Sequence, residues 1–268
     1  MSDSQSWTTA IAEVHEDDVI VRGYRLSELV GRVTFIDAIF LVHTGELPSM
    51  AKRRMLDAIF VSLVEHGISP SSIITRMLAS CGTPSQAAVA GGLLSVADWH
   101  GGSGEQLSQV LAQIVTAAGG AGGVDDAVLE SETRRLVAEY QAQRQRFAGF
   151  GHPQHTDGDP RAVALLDLAD ELRVSGVYVR VVRLLEAEIE LSRGRRLPLN
   201  VTGALAALLQ DLGFSWQAIR GLVIAARSAG LVAHFVEELE QGGRWRHASD
   251  GEVAYVGPRD RALPESVA

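Results

Sequence analysis

Apolar residues recur every three or four positions along most of this chain, the spacing that places side chains on one face of an α-helix. Three clear series occupy residues 56–64, 165–172 and 181–189. Pro48 followed by Ser49 is typical of a helix start, and Ser215 before Trp216 is typical of another. The pattern therefore predicts a chain built mainly from amphipathic helices.

Glycine-rich stretches interrupt this periodicity and predict loops between the helices. They are residues 101–104, 119–123 and 149–159. A charged helix is expected across residues 125–146. Strand-like composition is confined to residues 18–21 and 252–256, and neither segment is long enough to seed a large sheet. We therefore predict an all-α fold. Its large helical domain would comprise residues 1–122 and 170–268, with a smaller helical lobe at 123–169.

Composition limits the partners of this chain. The 268 residues are 46% apolar and carry a net charge of −9, which argues against a nucleic-acid backbone as ligand. No apolar run approaches the roughly 20 residues that span a membrane. Cys81 is the single cysteine, so no intramolecular disulfide is possible. The polar N-terminus lacks the order of a signal peptide, and we expect a cytoplasmic location.

Two histidines stand among glycines, where a ligand can approach the main chain closely. They are His100, in WHGG, and His152, in GFGHP. Imidazole titrates near neutral pH and can donate or accept a proton in catalysis. The alternative for each is a loop histidine that caps a helix.

Two arginines are candidates for binding a carboxylate. Arg161 follows Asp159-Pro160 in the first turn of a predicted helix, and Arg227 lies in an otherwise apolar run. A buried arginine needs an anionic partner, which is either a substrate carboxylate or a protein carboxylate such as Asp211 or Glu237. No His, Cys, Asp or Glu cluster has the spacing of metal ligands, so no metal is expected.

Six segments, in order, make the chain similar to the citrate synthase superfamily. They are RGYRLSELVG, FLVHTGELPS, WHGGSGEQ, GFGHPQHTDGDPR, LPLNVTGALAALLQDLGF and ARSAGLVAHFVEE. Together they resemble most the short citryl-CoA lyases and the citryl-CoA-cleaving module of ATP-citrate lyase. The resemblance implies a helical large domain with a smaller lobe and a homodimer with shared active sites. It also implies a lyase or acyltransferase that joins or separates acetyl-CoA and oxaloacetate.

The same resemblance assigns roles around the substrate. His100 corresponds to the histidine that binds the thioester oxygen and stabilises the enol of the acyl group. His152 corresponds to the histidine at the keto group of oxaloacetate. Arg161 and Arg227 correspond to arginines that hold the substrate carboxylates, and His66 to a further carboxylate-binding histidine.

Other matching positions concern CoA and the dimer. The main chain at Phe150 and Gly151 corresponds to the stretch that packs against the adenine of CoA. Arg195 and Arg196 are candidate phosphate partners, and Arg246 is a candidate for an arginine donated across the dimer. A CoA thioester is thus the expected substrate.

One position departs from the family pattern. Where the family has N-V-D-G, this chain has Asn200-Val201-Thr202-Gly203. The family aspartate exchanges a proton with the α-carbon of the acyl group, a task for which an alcohol is a very weak base. A general base typically contributes about 10²–10⁴ in rate.

Three hypotheses follow from this departure. In the first, a nearby carboxylate or a water molecule does the work of the aspartate. Asp98 and Glu105 are close to His100 in sequence, although the resemblance gives neither that role. In the second, a malonyl-CoA-type donor loses CO₂, so that no α-proton is removed, and Thr202 binds the donor or the enolate. In the third, the chain binds CoA and a dicarboxylate without turnover.

Overall fold

α-Helices make up most of the computed structural model, which describes residues 7–151 and 158–267. The all-α prediction is confirmed. The helices are α1 (Leu26–Leu29), α2 (Phe35–Thr44), α3 (Met50–Val64), α4 (Pro70–Ser80), α5 (Ser85–Leu94), α6 (Ser103–Ala117), α7 (Asp126–Ala142), α8 (Pro160–Glu171), α9 (Val177–Arg193), α10 (Val201–Leu212) and α11 (Ile219–Glu240). Short 3₁₀ turns occupy Trp216–Ala218, Asp250–Glu252 and Glu265–Val267.

A small antiparallel sheet precedes α1. Its strands are β1 (Ala12–Val14), β2 (Val19–Val21) and β3 (Tyr24–Arg25), with β2 in the middle. The strand predicted at residues 18–21 corresponds to β2. The strand predicted at residues 252–256 is wrong, because that segment leaves the second 3₁₀ turn without regular structure. Its apolar residues are exposed and pair with no neighbouring strand in the described chain.

The helix starts expected from sequence are present, with one difference. The Ser49 side chain accepts a hydrogen bond from the Lys52 amide and caps α3. Ser215 instead precedes the 3₁₀ turn that leads into α11, and its side chain makes no capping bond. The glycine run at residues 119–123 lies in the connection between α6 and α7, as predicted.

Helix α10 lies at the centre of the molecule. Ten of its twelve residues are buried, and it packs against α6, α8, α9 and α3. A helix that is apolar on all sides has to be surrounded by others. The N-terminus of α10 is thereby fixed in the interior, and the cleft described below opens there.

Helix α11 corrects one expectation from sequence. The segment Trp216–Glu240 has a mean hydropathy of 1.4 and is long and apolar enough to cross a membrane by those measures alone. However, α11 packs along α3, α4 and α5 and carries the buried Arg227. Of its apolar window, 39% is buried inside the molecule.

The predicted small lobe at residues 123–169 contains α7 and most of α8. Helix α7 packs chiefly on α9, and α8 packs chiefly on α10. Both helices contribute to an apolar core that continues through the rest of the chain. The division into two domains stays a prediction.

Candidate active site

A cleft of about 610 Å³ opens at the N-terminal end of α10. Loops that precede α6 and α10 form two of its walls, and α11 forms a third. Segments far apart in sequence therefore supply its side chains. The predicted site residues that line it are His66, His100, Phe150, Gly151, Arg161, Thr202 and Arg227.

A tight loop presents His100 to the cleft. The backbones of Ala97 and His100 exchange two hydrogen bonds of 3.0 and 2.9 Å, and the Gly102 amide donates to the Ala97 carbonyl at 3.0 Å. A β-carbon on Gly102 would lie 2.7 Å from that carbonyl oxygen, so the turn requires glycine. The His100 Nε2 atom lies 3.0 Å from the hydroxyl of the buried Ser71. The contact with Ser71 thus orients the imidazole ring.

His100 is neutral at pH 7. Burial lowers its pKa below the ordinary value of 6.5, and the positive charges of Arg227 and His66 lower it further. A neutral imidazole carries one N–H, which can donate to a carbonyl or enolate oxygen. His66 lines the same cleft as His100.

Arg161 is held by an acidic residue of its own loop. Its Nε and Nη2 atoms donate to the two carboxylate oxygens of Asp159 at 3.0 and 2.9 Å. Asp159 is buried and also accepts from the Val201 amide at 2.9 Å. Burial raises the pKa of Asp159, but these hydrogen bonds bring it below the ordinary 3.8. The charged carboxylate therefore joins the starts of α8 and α10.

Arg227 has a guanidinium edge without a partner. Its side chain is only 8% exposed, and Nε donates to the Leu63 carbonyl at 2.9 Å. Nη1 is buried and has no hydrogen-bond partner among the described residues. Burial lowers the pKa of Arg227, as does the positive charge of Arg161, whereas Glu65 raises it. An unpaired N–H in such a position is costly unless an anion binds to it.

The protein carboxylates considered as partners for a buried arginine lie elsewhere. Asp211 accepts hydrogen bonds from the amides of Gly176, Tyr178 and Val179 at the start of α9. Glu237 forms an ion pair with Arg76. Neither carboxylate forms a hydrogen bond with Arg227; the acidic residue whose charge acts on it is Glu65.

Thr202 belongs to a directional chain of hydrogen bonds. Its hydroxyl donates to the Asn200 Oδ1 atom at 2.6 Å and lies 2.7 Å from the Ser103 hydroxyl. Because Thr202 gives its single proton to Asn200, Ser103 is the donor in the second contact. The Asn200 amide group in turn donates to the Gly151 carbonyl at 2.8 Å. These hydrogen bonds run from the start of α6, across the start of α10, to residues 149–151, which we call the glycine loop.

The glycine loop itself packs directly on α10. The backbone N–H of Asn200 donates to the Gly149 carbonyl at 3.0 Å, and the backbone N–H of Gly151 donates to the Pro198 carbonyl at 2.7 Å. A β-carbon on Gly203 would lie 2.3 Å from the Gly149 carbonyl oxygen. This loop leads to His152, which lies outside the described residues, so its predicted role stays a prediction.

Both candidate replacements for the family aspartate bind the same arginine. Asp98 and Glu105 each lie 2.7 Å from the Arg220 Nη2 atom. Asp98 is the only carboxylate that lines the cleft within the described part of the chain, and Glu105 does not line it. The described carboxylates near His100 are therefore engaged in holding its loop against α6 and α11.

A second cavity, of about 520 Å³, adjoins the cleft and shares several of its walls. The Arg146 guanidinium lies over the Trp99 ring at 5.1 Å, and the Tyr140 and Phe147 rings stack at 5.2 Å. The Arg193 guanidinium lies over the Phe147 ring, 5.3 Å from its centroid. Its walls combine flat apolar rings with positive charge.

Three predicted site residues do not line the cleft. Arg195 is exposed, and Arg196 lies 3.6 Å from Glu186. Arg246 forms an ion pair with the buried Glu238 of its own chain. Their roles toward CoA and across a dimer stay predictions. Sequence reasoning gave no site role to Ser71, Ser103, Arg146 or Asp159: Ser103 and Asp159 lie within matching segments, and Ser71 and Arg146 lie outside them.

The family model for the citrate synthase C-terminal domain matches residues 49–248 of this chain. The chain belongs to the citrate synthase family. It is also similar to the solved structure of citryl-CoA lyase from Hydrogenobacter thermophilus, with 34% identity and a TM-score of 0.87. That match covers 97% of this chain and 98% of the lyase chain.

Other relatives in the citrate synthase family are longer. Citrate synthase from Synechocystis is 27% identical over 229 residues, which cover 82% of this chain and 54% of that protein. The structure of ATP citrate lyase from Methanothrix soehngenii, in complex with citrate and coenzyme A, has a TM-score of 0.75 at 19% identity. The match covers 97% of this chain and 43% of the ATP citrate lyase chain, and it shows a shared fold. The chain spans about 54 to 60% of the length of curated relatives that it matches.

Proposed function

We propose that the cleft makes or breaks a carbon–carbon bond between the acyl group of a CoA thioester and the keto carbon of a 2-oxo dicarboxylate. Acetyl-CoA and oxaloacetate are the pair that the family implies, so the activity would be that of a citrate synthase or citryl-CoA lyase. One observation carries this proposal. A neutral histidine, His100, shares a cleft with Arg227, whose buried Nη1 atom has no hydrogen-bond partner in the described part of the chain.

The acceptor would be held by its carboxylates. Arg227 offers a buried N–H that gains an anionic partner only when a ligand binds. Arg161 is oriented by Asp159 and keeps a guanidinium face toward the cleft, where His66 also lies. Arginine and carboxylate groups form short, charge-assisted hydrogen bonds with defined geometry. This set fits a small dicarboxylate.

The thioester would be activated at His100. When the Ser71 hydroxyl donates to Nε2, the single N–H of the neutral ring is at Nδ1. That N–H can donate to the thioester oxygen, and the bond strengthens as the oxygen gains enolate charge. The predicted role of His152 is to exchange a proton with the hydroxyl that forms at the keto carbon.

CoA would extend from the cleft into the adjoining cavity. The Trp99, Tyr140 and Phe147 rings can stack on a nucleotide base, and Arg146 and Arg193 bring positive charge for phosphates. Phe150 borders both cavities, which agrees with its predicted position beside the adenine. Arg195 and Arg196 would contribute only at the outer end of such a ligand.

A homodimer would complete the molecule. Helices α4, α5 and α11 pack against one another and expose apolar side chains, including Leu94 at 84%, Leu239 at 52% and Ile73 at 46% exposure. Exposed apolar surface of this kind favours a protein interface. A second copy is the proposed partner, and a cytoplasmic location is the compartment we propose.

The proposal is tested by offering citryl-CoA to the purified protein and following release of oxaloacetate and of the CoA thioester. Cleavage is expected because it passes through the same enolate at His100. Arg227→Met should reduce kcat/KM by about 10- to 100-fold, the value of a charged hydrogen bond. Arg135→Met, an exposed arginine of α7, is the matched control and should leave the rate unchanged.

The absence of any oxaloacetate, together with a failure to condense oxaloacetate with any CoA thioester, would contradict the proposal. Measurable binding of CoA without turnover would then identify the chain as a binding protein. Isothermal titration with CoA distinguishes that outcome from a misfolded preparation.

A further inference from the structure

The hydroxyl of Thr202 is not available to remove a proton from a substrate. It stands in the first turn of α10 at the wall of the cleft, and its proton is committed to Asn200 at 2.6 Å. Ser103 donates to the same oxygen at 2.7 Å. An alcohol in such a chain is a neutral dipole with a fixed direction, and an unassisted alcohol is a very weak base near neutral pH.

The carboxylate that lines the cleft is also occupied. Arg220 binds Asp98 and Glu105 through one nitrogen atom, Nη2, at 2.7 Å each. Each carboxylate is thereby held against Arg220. Among the described residues, the cleft therefore contains groups that stabilise an enolate, and its one lining carboxylate is held by Arg220.

The charge of the cleft favours a donor with an extra carboxylate. Arg146 lines the cleft as a third arginine, beside Arg227 and Arg161, the two proposed to hold the acceptor. The N-termini of α6 and α10, helices of 15 and 12 residues, meet at the Ser103–Thr202 contact. Helix N-termini carry partial positive charge. A neutral hydroxyl at position 202 tolerates an anion there, whereas a carboxylate would repel it.

We propose that the acyl donor of this cleft is a malonyl-CoA-type thioester, which carries a carboxylate on the α-carbon and forms its enolate by losing CO₂. The inference rests on the proposed function and names its donor. The bond between the α-carbon and the carboxylate breaks, and its electron pair becomes the enolate at His100. The α-carbon then attacks the keto carbon of oxaloacetate. The resulting alkoxide takes up one proton, so that malonyl-CoA, oxaloacetate and a proton give citryl-CoA and CO₂.

Within this scheme Ser103 donates to the donor carboxylate, while Thr202 adds no negative charge at this wall. Ser103 can rotate its proton from Thr202 toward the ligand, while Thr202 keeps its bond to Asn200. Neutral hydroxyls hold a carboxylate more weakly than an arginine does, so the carboxylate is oriented without being strongly stabilised against loss. The hydroxyl pair therefore determines which donor reacts.

The wild-type protein tests this directly. It is incubated with oxaloacetate and either malonyl-CoA labelled with ¹³C in the free carboxylate or acetyl-CoA, and labelled CO₂ and citryl-CoA are measured. We expect CO₂ and citryl-CoA in equal amounts, and a kcat/KM for malonyl-CoA at least 10-fold above that for acetyl-CoA. Equal or faster use of acetyl-CoA, or no CO₂ release, would overturn the proposal. CO₂ release without citryl-CoA would do so as well.

Two variants separate charge from shape at position 202. Thr202→Asp places a carboxylate at the wall, and Thr202→Asn is its neutral counterpart of equal size. Thr202→Asp should lower kcat/KM for malonyl-CoA at least 10-fold and raise turnover of acetyl-CoA by about 10²-fold, a typical effect of a general base. Thr202→Asn should raise neither rate. A Thr202→Asp protein that uses malonyl-CoA as well as the wild type contradicts the inference.

Failure of this inference is distinguishable from failure of the proposed function. Citryl-CoA cleavage or acetyl-CoA condensation without malonyl-CoA use leaves the function standing and removes the donor assignment. If no thioester reacts in any arm, the proposed function fails too. The comparison of donors on the wild type does not depend on how well either variant folds.

Discussion

Asp159 and Arg161 show how one buried carboxylate fixes several parts of the cleft. The pair is bidentate, and the Asp159 side chain also binds the first amide of α10. Removing one partner of a buried ion pair leaves the other charge uncompensated. Asp159→Asn should therefore lower the free energy of unfolding by about 3 kcal/mol. Urea denaturation measures this, and Asp167→Asn, at an exposed site of the same helix, should change it by less than about 0.5 kcal/mol.

The pH dependence of this effect has a definite sign. The pKa of Asp159 is lower in the folded protein than the ordinary 3.8. Its contribution to stability is present above pH 3.8 and is lost as the pH falls through the folded-state pKa. The difference in stability between the wild type and Asp159→Asn should narrow in acid. A difference that is constant down to the acid transition would show that Asp159 is not stabilised as a carboxylate.

His100 should be mainly neutral at pH 7. Its pKa is lowered first by burial and then by the charges of Arg227 and His66. Replacement of Arg227 by methionine removes one of these charges, so the pKa of His100 should rise but stay below 6.5 because burial remains. Titration of the His100 Cε1 proton by NMR measures this. An unchanged His100 pKa in the variant would place Arg227 too far away to influence it, and Arg135→Met is again the control.

The chemistry of single residues was partly visible in the sequence. His66, His100, Arg161 and Arg227 could be predicted because their types and flanking residues match a known pattern, and all four line one cleft. The groups that hold them could not. Ser71 is 29 residues from His100, and Ser103 is 99 residues from Thr202. Such partners become neighbours only when helices pack.

At the scale of elements, the contact between the glycine loop and α10 has almost no free space. A β-carbon at Gly203 would meet the Gly149 carbonyl oxygen at 2.3 Å and the Leu199 side chain at 2.5 Å. Gly203→Ala must displace the loop that carries Phe150 and Gly151. We expect a loss of about 2 kcal/mol in unfolding free energy, measured by urea denaturation, and weaker CoA binding.

A second glycine offers a matched control for this prediction. Gly221, in α11, has nothing within 4 Å of an added β-carbon. Gly221→Ala should be neutral or stabilising by up to about 1 kcal/mol, because alanine favours helix. Equal effects of the two substitutions would mean that the loop and α10 are not in close contact.

Elements with long periodic segments were the most predictable. The helical series at residues 56–64 and 181–189 lie within α3 and α9, as expected. Strands β1 and β3 were missed because they have only three and two residues and are exposed on both faces, leaving no alternation to detect. The prediction of a strand at residues 252–256 was wrong for the opposite reason. Its composition suits a strand, but no described neighbour supplies hydrogen bonds.

At the scale of the whole molecule, the exposed apolar face of α4, α5 and α11 predicts self-association. Sedimentation equilibrium should give twice the chain mass of 28.7 kDa. Leu94→Glu introduces a charge on this face, where the side chain is 84% exposed, and should shift the protein toward the monomer. Leu191→Glu, at a 78% exposed site on α9, is the control and should leave the mass unchanged. A monomeric wild type would contradict the prediction.

Fold and family follow from properties distributed over the whole chain, whereas the reaction depends on a few atoms. Six ordered segments were enough to indicate a citrate synthase-like helical fold. The donor was not predictable in the same way, because it depends on whether Thr202 has a free proton and whether Asp98 has a free carboxylate. Both answers come from hydrogen bonds to Asn200 and Arg220, which only the folded chain brings into contact.

The proposed reaction of this cleft is the formation of a carbon–carbon bond between a CoA thioester and oxaloacetate. Uniformly ¹³C-labelled oxaloacetate with an unlabelled thioester donor, followed by mass spectrometry, measures that bond directly. The wild type should yield a six-carbon acid or its CoA thioester with four labelled and two unlabelled carbons, and Arg227→Met should yield about 10- to 100-fold less. If oxaloacetate and CoA bind but no product combines labelled and unlabelled carbons with any donor, the claim is contradicted.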